Sequence, residues 1–477
     1  MKYLKKILKI ILVLSIILVI TVLTFLGIDS YNTKYLKLKN HSALQNDTYI
    51  INNVNVVPMT SDTILYHKSV YVKNGIIVNI DDPINEDGIT VIDGQNKFLS
   101  PGLIDMHMHL WDKQELGLYL ANGVTTVRNL WGFPLHLRVK EAIKNNELIG
   151  PMFFVSSPKL TGAEDLGDDK VQIDNPETAK TLVKQYKDRG YDFIKTYAGI
   201  PKEIMAVVIE QSIASDISII SHPSFKIPYL DQFHTQIASI EHAEDIVQQP
   251  LEYKLDSIKL KIVINRFVDT KMSFSPTLTG FYKIYEMLEQ NETILDSDLM
   301  HYMNPLIQKV DSKVQFDRWA NEKTQDINVT ARIHKQHKFH LYILKKMNEA
   351  GVNIVCGTDA GIGITAPGYA IHQELELYHE AGLSNYDALK TATINPTKTH
   401  KEFKNMGSIE LGKLANFVLT NENPLENLST LAQPEWVMIQ GRKLDKTLLE
   451  TFTNKAYNRS TTVVSGLRYG EYLYVER

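Results

Sequence analysis

The sequence predicts an α/β protein: a (β/α)8 TIM barrel, a composite β-sandwich domain built from both flanks of the barrel, and an N-terminal transmembrane helix. Three observations carry this expectation. Strand-like and helix-like stretches alternate from Gly102 onward, short β segments stand on either side of that stretch, and an uncharged apolar run fills Ile10 to Ile28. The 477 residues suffice for a barrel plus a satellite domain. Apolar residues at 44% and charged residues at 22% give a globular balance and exclude a mainly disordered chain.

The N-terminus comes first. Lys2, Lys5, Lys6 and Lys9 precede the apolar run, which ends at Asp29. At 1.5 Å per helical residue, about 20 such residues cross a hydrocarbon core of ~30 Å. The flank Thr24-Phe-Leu-Gly-Ile28 offers no small-residue cleavage pattern, so residues 1–29 read as an uncleaved signal anchor. The positive-inside rule leaves the lysines in the cytoplasm and the remainder membrane-anchored on the extracytoplasmic side. Residues 30–47 are polar and irregular, as a linker above a membrane would be.

Residues 48–100 read as short strands, such as Val54-Asn-Val-Val57 and Ile76-Ile-Val-Asn-Ile80, separated by turn signals at Lys73-Asn-Gly75 and Asp87-Gly88. They are too few to stand alone. Residues 404–445 return to β segments, so the two flanks are expected to form one composite domain around a barrel at 101–403. Barrel strands are expected at Leu103–His107, Val124–Asn129, Met152–Ser156, Phe193–Tyr197, Ile217–His222, Ser239–His242, Ser273–Thr277 and Asn353–Gly357. About 70 residues separate the last two, far beyond an ordinary βα loop. This 279–350 insertion is amphipathic and aromatic, a candidate lid or a self-packing unit. Residues 446–477 read as a C-terminal tail.

The unusual polar residues fall at strand ends. His107 and His109 lie two apart and so project from one face. Lys195, His222, His242 and Asp359 close the fourth, fifth, sixth and eighth strands. A lone strand histidine is more often structural than a ligand, but strand C-termini converge at a barrel's mouth, where six such residues make one metal-binding cluster. Cys356 is the single cysteine, so any metal must rely on imidazole and carboxylate-type ligands. A net charge of −4 gives no attraction to nucleic-acid phosphate. The Gly357-Thr-Asp-Ala-Gly-Ile-Gly363 stretch lacks the strand–glycine loop–helix context of a dinucleotide site.

The run Pro101-Gly-Leu-Ile-Asp-Met-His-Met-His-Leu110 resembles the opening metal motif of the amidohydrolase superfamily. The likeness extends to Ile240-Glu-His-Ala243, Gly357-Thr-Asp-Ala360, Thr391-Ala-Thr-Ile-Asn-Pro396, Gly407-Ser-Ile-Glu-Leu-Gly-Lys-Leu-Ala-Asn-Phe417 and Gly441-Arg442. It is similar to the imidazolonepropionase-like and metal-dependent Xaa-Pro dipeptidase (prolidase) branch. The resemblance implies two divalent metal ions, zinc in the first instance. It makes His107, His109 and Asp359 ligands of one, His222 and His242 ligands of the other, and Lys195 a carboxylated bridge. Such a bridge makes chemical sense, because an ammonium cannot sit between two cations whereas a carbamate offers two anionic oxygens. The implied reaction is amidohydrolysis of a small molecule: a metal-bridging hydroxide attacks an amide, peptide-like or cyclic C–N bond, and Asp359 moves the proton. A lactonase or phosphoesterase could use the same binuclear site, and a membrane-tethered metal-binding protein without turnover is the non-enzymatic rival.

For substrate contacts the sequence offers Arg128 at the end of the second strand, where a cation could hold a carboxylate or form a salt bridge. Tyr197 shares a face with Lys195, and His372 opens the helix after the eighth strand. Where relatives often carry Thr-Gly-Gly-His, this chain has Thr161-Gly-Ala-Glu-Asp165, and Ala415-Asn416 replaces the commoner Ala-Asp.

Overall fold

A computed structural model describes residues 2–41, 48–81 and 88–477. The flanking strands are β1 (Tyr49–Val56), β2 (Leu65–Lys73), β3 (Ile76–Asp81), β4 (Thr90–Asp93) and β5 (Phe98–Pro101). The turn expected at Asp87-Gly88 lies partly outside the described residues. The barrel strands are β6 (Leu103–Met108), β7 (Val124–Asn129), β8 (Met152–Gly162), β10 (Phe193–Thr196), β11 (Ser218–Ser221), β12 (Ile237–Glu241) and β13 (Ser273–Ser275), with β9 (Lys170–Ile173) an appendage on β8. After the barrel come β14 (Phe417–Thr420), β15 (Trp436–Ile439) and β16 (Arg442–Asp445).

Both flanks share one sheet, in the order β16-β15-β14-β5-β1-β2-β3 with β4 beside β1, and β14 pairs antiparallel with β5. Asn53 at φ +58° and register shifts around Val54 bend β1, so its first half pairs with β4 and its second with β5. The sheet thereby closes over an apolar core that includes Val54, Val70, Leu99, Phe417 and Met438. Alternation does the rest: Phe417 and Leu419 face this core while Val418 packs into the barrel's.

The barrel strands run parallel in sequence order from β6 to β13. The expected eighth strand is an irregular segment that still closes the ring. Val355 N–H donates to Phe274 O on one side, Met106 N–H donates to Cys356 O on the other, and bridges join Ile354 to Phe274 and Ala360 to Met108. Its irregularity has a local cause. Cys356 N–H turns away to Thr391 O, and a Cβ on Gly357 would meet Ser275 Oγ at 2.4 Å and His107 Cβ at 2.7 Å.

Three expectations about the periphery change. The apolar helix runs over Lys2–Asn32, long and apolar enough to cross a membrane, three residues past the expected end. The segment after it is docked on the barrel rather than a loose linker: Leu36 is fully buried, Ile149 N–H donates to Leu36 O and Leu38 N–H to Glu147 O. Residues 42–47 of that linker lie outside the described residues. The expected tail is two packed helices, Lys446–Tyr457 and Thr462–Glu476, each amphipathic, with Phe452 and Tyr472 fully buried. The insertion is helical, built on Leu278–Gln290, Lys313–Gln325 and Val329–Glu349. It packs partly on itself through Phe281, Leu288, Val329 and Ile333.

Candidate metal centre and its cavity

His107, His109, Lys195, His222, His242 and Asp359 all line one cavity of about 460 Å³ at the mouth of the barrel. That volume suits a small ligand. Strand geometry brings them together: His107 lies in β6 and Lys195 in β10, His222 follows β11 directly, and His242 follows β12. Asp359 Oδ1 lies 2.8 Å from His109 Nε2 and 3.2 Å from His107 Nε2. Ligand atoms of His107, His242 and Asp359 lie within 4.8 Å of one another. The His222 and His242 rings stand 4.5 Å apart, and His242 is 4.9 Å from His107.

Burial sets the charge states. It holds the His109 imidazole down to about 4 and that of His242 to about 3, so both stay neutral at physiological pH. Burial also lowers the Lys195 ammonium to about 8, and its Nζ has no hydrogen-bond partner among the described residues. Burial raises the Asp359 carboxyl, but His107 and His109 beside it outweigh that and hold it well below the usual carboxylate range. His109 Nδ1 and His222 Nδ1 are likewise buried without partners among the described residues. Neutral imidazoles, an ionised carboxylate and an unpartnered buried amine fit a site for divalent cations.

Behind these side chains lies a second layer. Glu241, fully buried, accepts from His107 Nδ1 at 2.8 Å, from Arg128 Nη2 at 2.9 Å and from Ser239 Oγ at 2.5 Å. That contact fixes the His107 ring with Nε2 toward Asp359. Asp105 accepts from His107 N–H and from Thr358 Oγ1, tying β6 to the closing segment. Thr277 Oγ1 meets His242 Nδ1 at 2.8 Å. Three positions here have left-handed backbone: His242 at φ +69°, Thr277 at +48° and Asp359 at +56°. Such conformations cost roughly 1–3 kcal/mol each and recur at functional sites.

The expected substrate contacts fare unequally. Tyr197 lines the cavity with its ring 4.6 Å from His222. Arg128 does not line it. It is fully buried, and its guanidinium is taken up by Met106 O, Ser239, His400 and Glu241, so it holds Glu241 in place of a substrate. His372 is also outside the cavity lining, buried in the helix Ala370–Glu380. Its neighbour Glu374 matters more: its carboxylate accepts from Leu278 N–H at 2.8 Å and Thr279 N–H at 2.7 Å, anchoring the first helix of the insertion.

Other lining residues carry no signal in the sequence. Lys159, on the long β8, places Nζ 4.0 Å from the Trp131 ring centre and pairs with Asp169. The insertion supplies Phe281, Lys283, Met287, Gln315 and Arg318 to the wall, as well as packing on itself. Lys283 is paired with Glu286, whereas Arg318 is exposed and makes no ion pair among the described residues. Trp131 is itself backed by Phe133, Tyr469 and Tyr472, the last two from the C-terminal helix.

Residues 294–444 match the amidohydrolase family. A 63-residue stretch is 48% identical to dihydroorotase of Carboxydothermus hydrogenoformans, covering 13% of this chain and 14% of that enzyme. Among solved structures, a Xaa-Pro dipeptidase with methionine in its active site superposes with a TM-score of 0.65 at 18% identity, covering 84% of this chain and 100% of that one. The bottromycin amidohydrolase gives 0.72 at 18% identity, over 91% and 94%. The A. niger ochratoxinase gives 0.61 at 18%, over 84% and 96%.

Proposed function

We propose, on the premise that residues 294–444 are amidohydrolase-family sequence and that the barrel shares the fold of amidohydrolases and dipeptidases, that this chain is a two-metal hydrolase of small amides. Family match and fold both support hydrolysis of an amide bond. The observation that carries the finer reading is the convergence of six strand-end residues on one cavity, with the Lys195 amine buried and unpartnered. His107, His109 and Asp359 would hold one cation, His222 and His242 the second, and a Lys195 carbamate would bridge them. Divalent cations held there, zinc suiting the imidazoles, would supply Lewis acidity toward water and the scissile carbonyl.

The chain's own groups do the remainder. Glu241 fixes the His107 ring. Asp359, ionised and within hydrogen-bond reach of His107 and His109, accepts the proton of the attacking water and returns it to the leaving nitrogen. Tyr197 and Trp131 form apolar walls, and Arg318 offers a cation to a substrate carboxylate from the insertion. The apolar helix anchors the enzyme in a membrane with the barrel on the extracytoplasmic side. Full-length protein should contain two metals per chain and turn over dipeptides or N-acyl amino acids. Two metals with no turnover of any amide, lactone or phosphoester would make it a binding protein, and turnover confined to lactones or phosphoesters would refute the C–N assignment.

A further inference from the structure

A cationic hollow unrelated to the hydrolytic site lies at the foot of the apolar helix. This cavity of about 610 Å³ is bordered by Lys37, Lys39, Lys113, Arg138 and Arg468. Facing these five cations are three carboxylates: Glu147 in the lining, Asp29 3.4 Å from Lys113 Nζ, and Glu471 paired with Arg138 and Arg468. Among the described residues, two positive charges remain in excess. Lys39 is exposed and makes no ion pair among the described residues. One wall is apolar, formed by Leu135, Val139 and Leu148.

The height of the hollow along the helix is fixed by contacts. Ile28 is the last residue of the apolar run, and Asp29 and Ser30 begin the next, polar turn. Lys113 Nζ reaches Asp29, and Lys37 Nζ reaches Ser30 Oγ at 3.3 Å. Lys113 and Lys37 therefore stand one turn beyond the hydrocarbon-length segment, where a bilayer around that segment would put its lipid phosphates. The docked segment also prevents the hollow from drifting away. Leu36 is buried, Lys37 bridges to Leu148, and the backbone of residues 36 and 38 bonds to residues 149 and 147.

We propose that this hollow seats the phosphate headgroup of an anionic phospholipid, phosphatidylglycerol as the working case, with the first methylenes of an acyl chain against the Leu135–Leu148 wall. This rests on the reading of Lys2–Asn32 as a retained membrane helix. A polar turn beside an apolar span, an excess of positive charge and an adjoining apolar wall together match an amphipathic anionic ligand. A free anion would need only the charge. The seat would hold the barrel at one orientation to the bilayer, where a single helix alone leaves rotation free.

The test is native mass spectrometry of the full-length chain in mild detergent, titrated separately with dioleoyl-phosphatidylglycerol, dioleoyl-phosphatidylcholine and inorganic phosphate. One phosphatidylglycerol should be retained in preference to phosphatidylcholine. Because each near-surface cation changes binding about fivefold, Lys39→Gln should weaken phosphatidylglycerol about fivefold and the Lys37→Gln/Lys39→Gln pair about 25-fold. Phosphatidylcholine binding should not change. Lys39 is exposed and unpaired among the described residues, so the single variant keeps the test valid if the double variant unfolds. Equal retention of the two lipids, an unaltered preference in Lys39→Gln, or phosphate binding without lipid preference would each overturn the proposal. The same spectra give the intact mass. Loss of residues 1–30 with the lipid preference intact refutes the anchor alone, and a retained helix without preference refutes the seat alone.

Discussion

Carbamylation of Lys195 can be tested through the pH dependence of its assembly. Only a neutral amine reacts with CO2, and burial has lowered the Lys195 ammonium to about 8. About one fifth of the amine is then neutral near pH 7.4, against about one in a thousand for an ordinary lysine. Near pH 6.0 the neutral fraction falls to about one hundredth, so carbamate formation should slow roughly twentyfold. The imidazoles of His109 and His242, at about 4 and about 3, stay neutral throughout this window and do not confound the comparison. The assay incubates metal-depleted protein with a divalent cation and 13C-labelled CO2 at fixed dissolved CO2, following label uptake and regained activity. A Lys195→Ala variant should take up no label and should recover part of its activity with short-chain carboxylic acids. Equal uptake rates at the two pH values, or full activity without label, would refute the bridging role.

Other expectations concern single side chains. Asp359→Asn should lower kcat by about 10²–10⁴ while most of the metal stays bound, since His107 and His109 remain; steady-state kinetics and elemental analysis together check this. Glu241→Gln leaves a buried Arg128 without its charge partner, so a loss of about 3–5 kcal/mol in denaturant unfolding is expected. The same variant should bind metal about 10–100-fold more weakly, because one neutral amide oxygen must serve the donors of His107, Arg128 and Ser239 and holds the His107 ring less firmly. Arg318→Ala should raise KM roughly tenfold for amides bearing a carboxylate and leave their neutral esters unaffected; an equal change for both would remove Arg318 from substrate binding.

The convergence of the strand-end residues on one cavity was legible because a barrel converts a one-dimensional fact, a polar residue at a strand's end, into a place. His107, Lys195, His222, His242 and Asp359 all obey that rule. Lys159 does not: it lies within β8, which runs six residues past its expected end at Ser156, and so its place in the cavity lining was not legible. Arg128 shows the opposite failure. Its position at a strand end is correct, yet a long side chain can reach back into the barrel, and the buried Glu241 that draws it there comes from a strand over 100 residues away. The C-terminal helices carried a readable signal, with Leu449, Phe452 and Ala456 spaced as one helical face. What no sequence pattern gave was the partner of that face, the helix Gln114–Ala121, where Phe452 meets Gly117, or the backing of Trp131 by Tyr469 and Tyr472 of the second helix.

The left-handed backbone at 242, 277 and 359 has a consequence for engineering. A procedure that fitted residues to backbone alone would write glycine at all three, since glycine adopts such angles without steric penalty. This chain writes histidine, threonine and aspartate instead. Selecting variants for heat resistance alone should therefore erode the cavity first at these positions, and the most thermally robust descendants would be the ones that had lost its polar side chains.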